Sequence, residues 1–302
     1  MIDAFEGLDR VPWRELHHAY GPASDVPGQL RALRSDDPAA RDWAAFELMG
    51  TVYHQGTRWQ ASAHVVPFLV ALVDDPLTPD RPAVARLLRA VALGDRSDND
   101  LPFSPSTAFA AADGVTEAEE SRSIAALYGG EAGWDTGDAI DEAEAVARKW
   151  DRDAYDAGRQ HTARYARWLA DPDTDLAARA AELLAWFPLT PATLVGLIAM
   201  PPDPARWQPR SSANLALAHL PSDTPGMPET LRAQLHSTPL PVRLTAAIAL
   251  AYRLGEQLPP VALDVLVSAR QHDLPLSDNE VPPWDRPLTG FAALALQRLG
   301  LT

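Results

Sequence analysis

Residues Glu229–Gly255 read ETLRAQLHSTPLPVRLTAAIALAYRLG, and the order of events in that stretch decides the fold. An apolar segment runs into the polar, proline-bearing turn STPLP. An arginine, Arg243, follows, and an Ala- and Leu-rich segment then continues to a glycine. Apolar residues three and four apart lay one stripe along a helix, while Pro and Gly separate one helix from the next. Neither helix can bury its stripe alone, so such a pair must stack on neighbours of the same kind.

The same order recurs along the chain, which is the signature of a repeat architecture. Val26–Gly50 carries it with Arg41, and Ala44, Ala45, Phe46 and Leu48 are assigned to its inner face. Val65–Gly94 carries it with Arg81, HTARYARWLADPDTDLAARAAELLAWFP (161–188) with Arg179, and PATLVGLIAMPPDPARWQPRSSANLALAHLP (191–221) with Arg210. A last copy runs from Val261 to Gly300 with Arg286. Successive arginines lie 40, 98, 31, 33 and 43 residues apart, and the gap of 98 holds an insertion over 95–157. Alternating β-branched residues are scarce, so no β-sheet is expected.

The turns SDDPAAR (35–41) and STPLPVR (237–243), with TAAIALAYRLG (245–255), resemble HEAT repeats, the two-helix units of α-solenoids. ELHHAYGPASDVPGQL (15–30) and YHQGTRWQASAHVVPFLVAL (53–72) resemble segments of bacterial HEAT-repeat proteins of no assigned activity. Glu182, three residues after Arg179, departs from the pattern, which prefers Ala there, and the fourth and sixth copies have overlong inner turns. The resemblance implies an all-α, right-handed α-solenoid of about six helix pairs forming a single domain, 1–302, interrupted after the second pair. A helix at Trp13–Tyr20 and another at Phe291–Leu299 are expected to cap the stack. It also implies an arginine ladder, each Arg bonding a turn Asp of a neighbouring unit, with Asp36, Asp37, Asp171, Asp173 and Asp175 as acceptors.

Charge narrows the range of partners. The formal net charge is −15, and residues 95–157 hold 16 acidic residues against 5 basic ones. Lys149 is the sole lysine. Nucleic-acid binders draw their affinity from Lys and Arg that neutralise phosphates, so nucleic acid is excluded as the expected partner. Helical DNA glycosylases, which the architecture also resembles, need the same basic groove. No apolar run reaches the roughly 18 residues of a membrane span. With no cysteine and no secretion signal at the N-terminus, a cytoplasmic protein is expected. Within the insertion, Thr116 reads as a helix N-cap, and 135–160 reads as a second helix with a stripe of Ile140, Ala143, Val146, Ala147, Trp150 and Tyr155.

No phosphate loop, nucleophile elbow or HExxH is present, and no metal or cofactor is expected. The densest polar–aromatic grouping comprises Trp13, His17, His18 and Tyr20, then Tyr53, His54, Gln55, Thr57 and Trp59. Of these, His18, Tyr20, His54, Gln55, Thr57 and Trp59 form the candidate site. Imidazole, amide and hydroxyl groups beside indole faces can hold a polar ligand or a peptide, and loops on a rigid scaffold are where such groups act. The competing reading makes His54 and Gln55 a helix-end cap and the aromatics core. Trp43, Trp168 and Trp186 are assigned to the core, and Trp207 and Trp284 to packing in proline-rich turns. The expected function is non-enzymatic binding of another protein, a basic one, as an immunity protein or scaffold would. The alternative is an enzyme on the same frame acting on a small polar ligand through His54 and Gln55.

Overall fold

The structure is a computed structural model of the 302-residue chain and describes residues 3–129, 137–201, 203–220, 226–271 and 279–301. Part of the insertion (130–136) and part of the last pair (272–278, with His272) lie outside the described residues. The chain is predominantly helical, and no described helix is long and apolar enough to cross a membrane. Contacts gather into two compact units where the sequence reading drew one domain: Met1–Arg96 with Ser104–His161, and Ser97–Phe103 with Thr162–Thr302.

In the first unit α1 (Val26–Ala32) pairs with α2 (Pro38–Thr51), and α3 (Ser62–Asp74) with α4 (Arg81–Leu93). α5 (Pro105–Ala108) is a single turn. α6 (Glu117–Tyr128) starts at a complete capping box between Thr116 and Glu119, the N-cap read from the sequence. α7 (Gly137–Arg159) lies against α3 and α4. Its Val146, Trp150 and Tyr155 are buried as their spacing predicts, whereas Ile140 is exposed. The acidic insertion therefore supplies core to this unit.

Three expectations fail here, the first being that no β-sheet would form, since two small antiparallel hairpins are present. Trp13–Tyr20 is not a helix: His17–His18 (β1) pairs antiparallel with Gly21–Pro22 (β2), and Tyr53–His54 (β3) pairs with Thr57–Arg58 (β4). Both hairpins have a two-residue turn. In the second, Gln55 and Gly56, at φ 48° and 86°, take the left-handed conformations that a type I′ turn requires. Trp43 and Phe46 are not core: they stand 64% and 66% exposed, while Ala44 and Leu48 are buried. α2 carries two apolar stripes, and only the Ala44–Leu48 stripe meets α1 and α4.

In the second unit the helices follow as α8 (Thr162–Trp168), α9 (Thr174–Leu184), α10 (Pro191–Ile198), α11 (Trp207–His219), α12 (Met227–Gln234), α13 (Leu240–Leu254), α14 (Pro260–Gln271) and α15 (Leu288–Arg298). The second helix of each pair touches the next: α9 packs on α11, α11 on α13, and α13 on α15. Alanines of these helices, among them Ala178, Ala181, Ala213, Ala216, Ala247 and Ala249, are buried, and side chains that small permit close helix packing. α11 is buried from Pro209 to His219 on every side, so its polar residues must bond inside the protein. Arg210, with no exposed surface, gives Nη1 to the carbonyls of Leu197 (3.1 Å), Ile198 (3.2 Å) and Met200 (3.0 Å), and Nη2 to Asn214 Oδ1 (2.8 Å). Asn214 donates onward to Gln234 Oε1 (2.7 Å) and Thr245 Oγ1 (3.2 Å). Burial pulls the Arg210 pKa down to about 10. Trp168 and Trp186 are core, as assigned, and so is Trp284, whose indole donates to Ser212 Oγ at 2.9 Å.

Arg41, Arg179, Arg210 and Arg243 do not make the expected ladder bonds. Arg41 donates to the carbonyls of Ser35 (2.8 Å) and Asp36 (3.2 Å), and Arg243 to those of Ser237 (2.8 Å) and Thr238 (2.9 Å). Both therefore bond six and five residues back. Arg81 likewise bonds the Val73 carbonyl at 2.6 Å. Carbonyls at and just past a helix end lack intrahelical partners, and a guanidinium in the first turn of the next helix supplies them: in the turn for Arg41 and Arg243, and in the last turn of α3 for Arg81. Arg179 instead pairs with Asp175 of its own helix (3.2 Å), and Arg286 reaches Asp98 at 2.6 Å.

Candidate functional site

The two hairpins stand side by side in the first unit because backbone bonds anchor them to helix ends. Ala19 N–H donates to the Thr51 carbonyl at the end of α2, and Ala61 N–H, just before α3, donates to the His17 carbonyl, each at 3.0 Å. Gln60 Oε1 accepts from His17 N–H at 3.1 Å, and the Tyr128 hydroxyl of α6 donates to the His18 carbonyl at 2.6 Å.

This anchoring sorts the six candidates into three roles. His18 is structural. Tyr20 N–H donates to its Nδ1 (3.1 Å), so the neutral ring carries its proton on Nε2, which donates to Asp25 Oδ1 at 2.9 Å. The ring is buried and closes the first hairpin onto the start of α1.

Tyr20, His54 and Gln55 form the exposed tip. Tyr20 is 69% exposed, and its ring meets His54 edge-on with centroids 5.4 Å apart. His54 Nδ1 lies 3.0 Å from the Gly50 carbonyl, which can only accept, so Nδ1 carries the proton and Nε2 offers a lone pair. His54 thus caps α2, as the competing reading held, and still presents an acceptor. Gln55 is exposed at the turn, and Thr57 stands across the ladder from His54.

Trp59 belongs to a separate cluster. Its ring lies 5.8 Å from Trp150 and 6.5 Å from Tyr128, and His17 stacks on Tyr128 at 5.0 Å. Trp150 Nε1 donates to Glu120 Oε1 at 2.6 Å, and Lys149 bridges Glu120 (3.2 Å) and Asp153 (2.7 Å). Burial pushes the Tyr128 phenol up to about 12, so it remains a neutral donor.

Beneath the second hairpin is a buried ion pair, Arg58 Nη2 to Asp151 Oδ1 at 3.0 Å, both side chains under 10% exposed. Burial is the largest influence on each partner, lowering Arg58 and raising Asp151, and their attraction opposes both shifts. The Tyr53 hydroxyl donates to Asp95, and burial with that bond raises the phenol to about 12.

Sequence reasoning missed the continuation of the tip onto α2. Trp43 and Phe46 lie 5.7 Å apart, and Met49 (37% exposed) and Gly50 carry the same face to His54. The available signal was that Trp43, Phe46 and Met49 repeat every three residues beside the stripe of Ala44 and Leu48, and one helix face can meet only one core. Two open grooves in the described residues, about 380 Å³ around Arg243 and Asp264 and about 440 Å³ around Trp13 and Arg14, hold none of the six candidates. No protein-family model, curated protein or solved structure matches this chain.

Proposed function

We propose that this chain is a non-catalytic module that binds another protein, a basic one, in a reducing cytoplasm. We further propose that its helix pairs are HEAT-like units stacked as a right-handed α-solenoid. The solenoid reading is supported within the second unit, where α9, α11, α13 and α15 touch in chain order. It is also supported by the shared six-and-five-back bonding of Arg41 and Arg243, one in each unit.

One observation carries the binding reading. An aromatic side chain at the tip, Tyr20, is held on a hairpin whose backbone is bonded to two helices, with His54 and Gln55 beside it. Aromatic groups positioned by a rigid frame lose little conformational entropy when they are covered, which is why they anchor interfaces. The net charge of −15 favours encounter with a basic partner. The enzyme reading rests on the His54 imidazole beside the Tyr20 hydroxyl, which lies 3.5 Å from Nδ1. No carboxylate orients that imidazole among the described residues: its Nδ1 proton goes to a backbone carbonyl.

The test is quantitative capture from a lysate of the source cell, comparing the parent with Tyr20→Ser/His54→Ala. A basic protein retained by the parent and lost by the variant, with both melting alike, supports the reading. Equal retention by both removes the tip from it.

A further inference from the structure

The α2 face next to the tip allows the partner class to be narrowed, on the footing that the chain binds protein. Trp43, Phe46 and Met49 are exposed along α2, and Tyr20 is joined to the end of that helix through His54, which bonds the Gly50 carbonyl. Whole aromatic side chains present roughly 150–250 Å², so these four together expose on the order of 500 Å² of largely apolar surface. A patch of that size is at the upper end of what a monomer shows and usually marks a contact.

Its size and its charge select the occupant. A stable interface between two folded domains buries about 800 Å² on each partner, more than this patch supplies, so a second copy of the chain is a poor fit. A single amphipathic helix laid along the patch, with apolar anchors at three- and four-residue spacing, needs less. Asp36, in the turn before α2, and Asp42 and Glu47, each next in sequence to Trp43 or Phe46, have carboxylates with no side-chain partner among the described residues. The nearby cations are already engaged: Arg31 with Asp9 (2.7 Å), Arg34 with Asp75 (2.8 Å), and Arg41 with the carbonyls of Ser35 and Asp36. Apolar anchors flanked by unmatched carboxylates call for apolar residues flanked by Lys or Arg.

We infer that the outer face of α2, with Tyr20, is the docking site for a basic amphipathic helix of a partner protein. Trp43 and Phe46 take the apolar anchors. Asp36, Asp42 and Glu47 meet the partner's cations and set the orientation of the helix along α2. The α2 face is already helical and solvent-exposed, so docking requires no rearrangement of this chain.

The probe is a fluorescein-labelled peptide of Leu and Lys about four helical turns long (~14 residues at 3.6 per turn), with Leu on one face. Two controls are a scrambled peptide of the same composition and a Leu/Glu analogue. Anisotropy of each is titrated with the full chain near physiological ionic strength. The patterned basic peptide is expected to bind saturably, and about tenfold or more tighter than either control. Trp43→Ser/Phe46→Ser should weaken it by about tenfold or more. Asp36→Asn/Asp42→Asn/Glu47→Gln should flatten its salt dependence. All replaced side chains are surface groups, and thermal melts matching the parent verify the fold.

Equal binding of the patterned and scrambled peptides, or equal binding by parent and Trp43→Ser/Phe46→Ser, overturns the inference. So does a dimer of the parent, seen by light scattering, that the same double variant abolishes, because a second copy would then own the face. A partner captured from lysate and retained by Trp43→Ser/Phe46→Ser would also sink this site while leaving the protein-binding reading standing.

Discussion

Protonation of His219 provides the sharpest quantitative prediction. The imidazole closes α11, 7% exposed, stacked on Trp284 (centroids 6.2 Å, 18° between planes) and edge-on to Tyr252 (5.4 Å, 89°). Neither ring nitrogen has a hydrogen-bond partner. Burial, with smaller contributions from Arg298 and Arg253, lowers its pKa from 6.5 to about 3. The folded state therefore holds the ring neutral, while the unfolded chain takes up a proton as pH falls through 6.5. His219 costs nothing above that value and destabilises progressively between 6.5 and 3. At about pH 5 the proton taken up only by the unfolded chain is worth about 2 kcal/mol, and the loss levels off at roughly 5 kcal/mol below pH 3. His219→Phe keeps a flat ring in the slot and removes the proton site. Urea unfolding followed by circular dichroism at about pH 7.5 and about pH 5 gives the stability lost on acidification for each protein. The parent should lose about 2 kcal/mol more than His219→Phe. Equal losses would show that the imidazole is solvated or bonded, and would refute the argument from burial.

Four further outcomes follow from the geometry. Gly94 sits at φ 73°, and a Cβ there would overlap the Arg58 guanidinium, so Gly94→Ala should cost about 3 kcal/mol or more in a denaturant titration. Asp151→Asn strands Arg58 in a buried site and should cost roughly 3–5 kcal/mol, while Arg58→Met/Asp151→Leu recovers most of it; a double variant no better than the single would refute the pair's role. Arg243→Ala removes two bonds to the carbonyls of Ser237 and Thr238 and should lower stability by about 1 kcal/mol, with little dependence on salt because no carboxylate is involved. Duplex DNA should bind no tighter than micromolar at physiological salt; a submicromolar dissociation constant by fluorescence titration would reveal an arginine patch that the net charge hides.

The helices were legible because each begins and ends on residues that act locally. Asp37 and Asp173 cap α2 and α9 with their own carboxylates, as Thr116 caps α6, and such signals need no tertiary context. The hairpins were not, since two residues per strand are too few to show alternation. A glycine at 56 marks a turn, but the positive φ that Gln55 shares with it, and so the pairing of the flanking strands, is not written in a glutamine. Half of the candidate site was legible for the same reason. Tyr20 and His54 meet as neighbouring loops, but His18 turned out to serve Asp25 seven residues on, and Trp59 to serve Trp150 in the insertion. Which of the two α2 stripes faces the core depends on where α1 and α4 lie, and periodicity along one helix does not contain that.

The wire of bonds from Arg210 through Asn214 to Gln234 and Thr245 bears on how this chain can be edited. Repeat arrays are commonly treated as beads, each replaceable because it touches only its neighbours. Here a cation with no exposed surface takes its acceptors from α10 and from α11, and its chief acceptor, Asn214, hands the chain on to α12 and α13. Excising or transplanting either pair would leave a charge or an amide stranded in the interior. The second unit should therefore resist shuffling, melt in one step where an idealised array would fray from its ends, and accept insertions only in its outward turns.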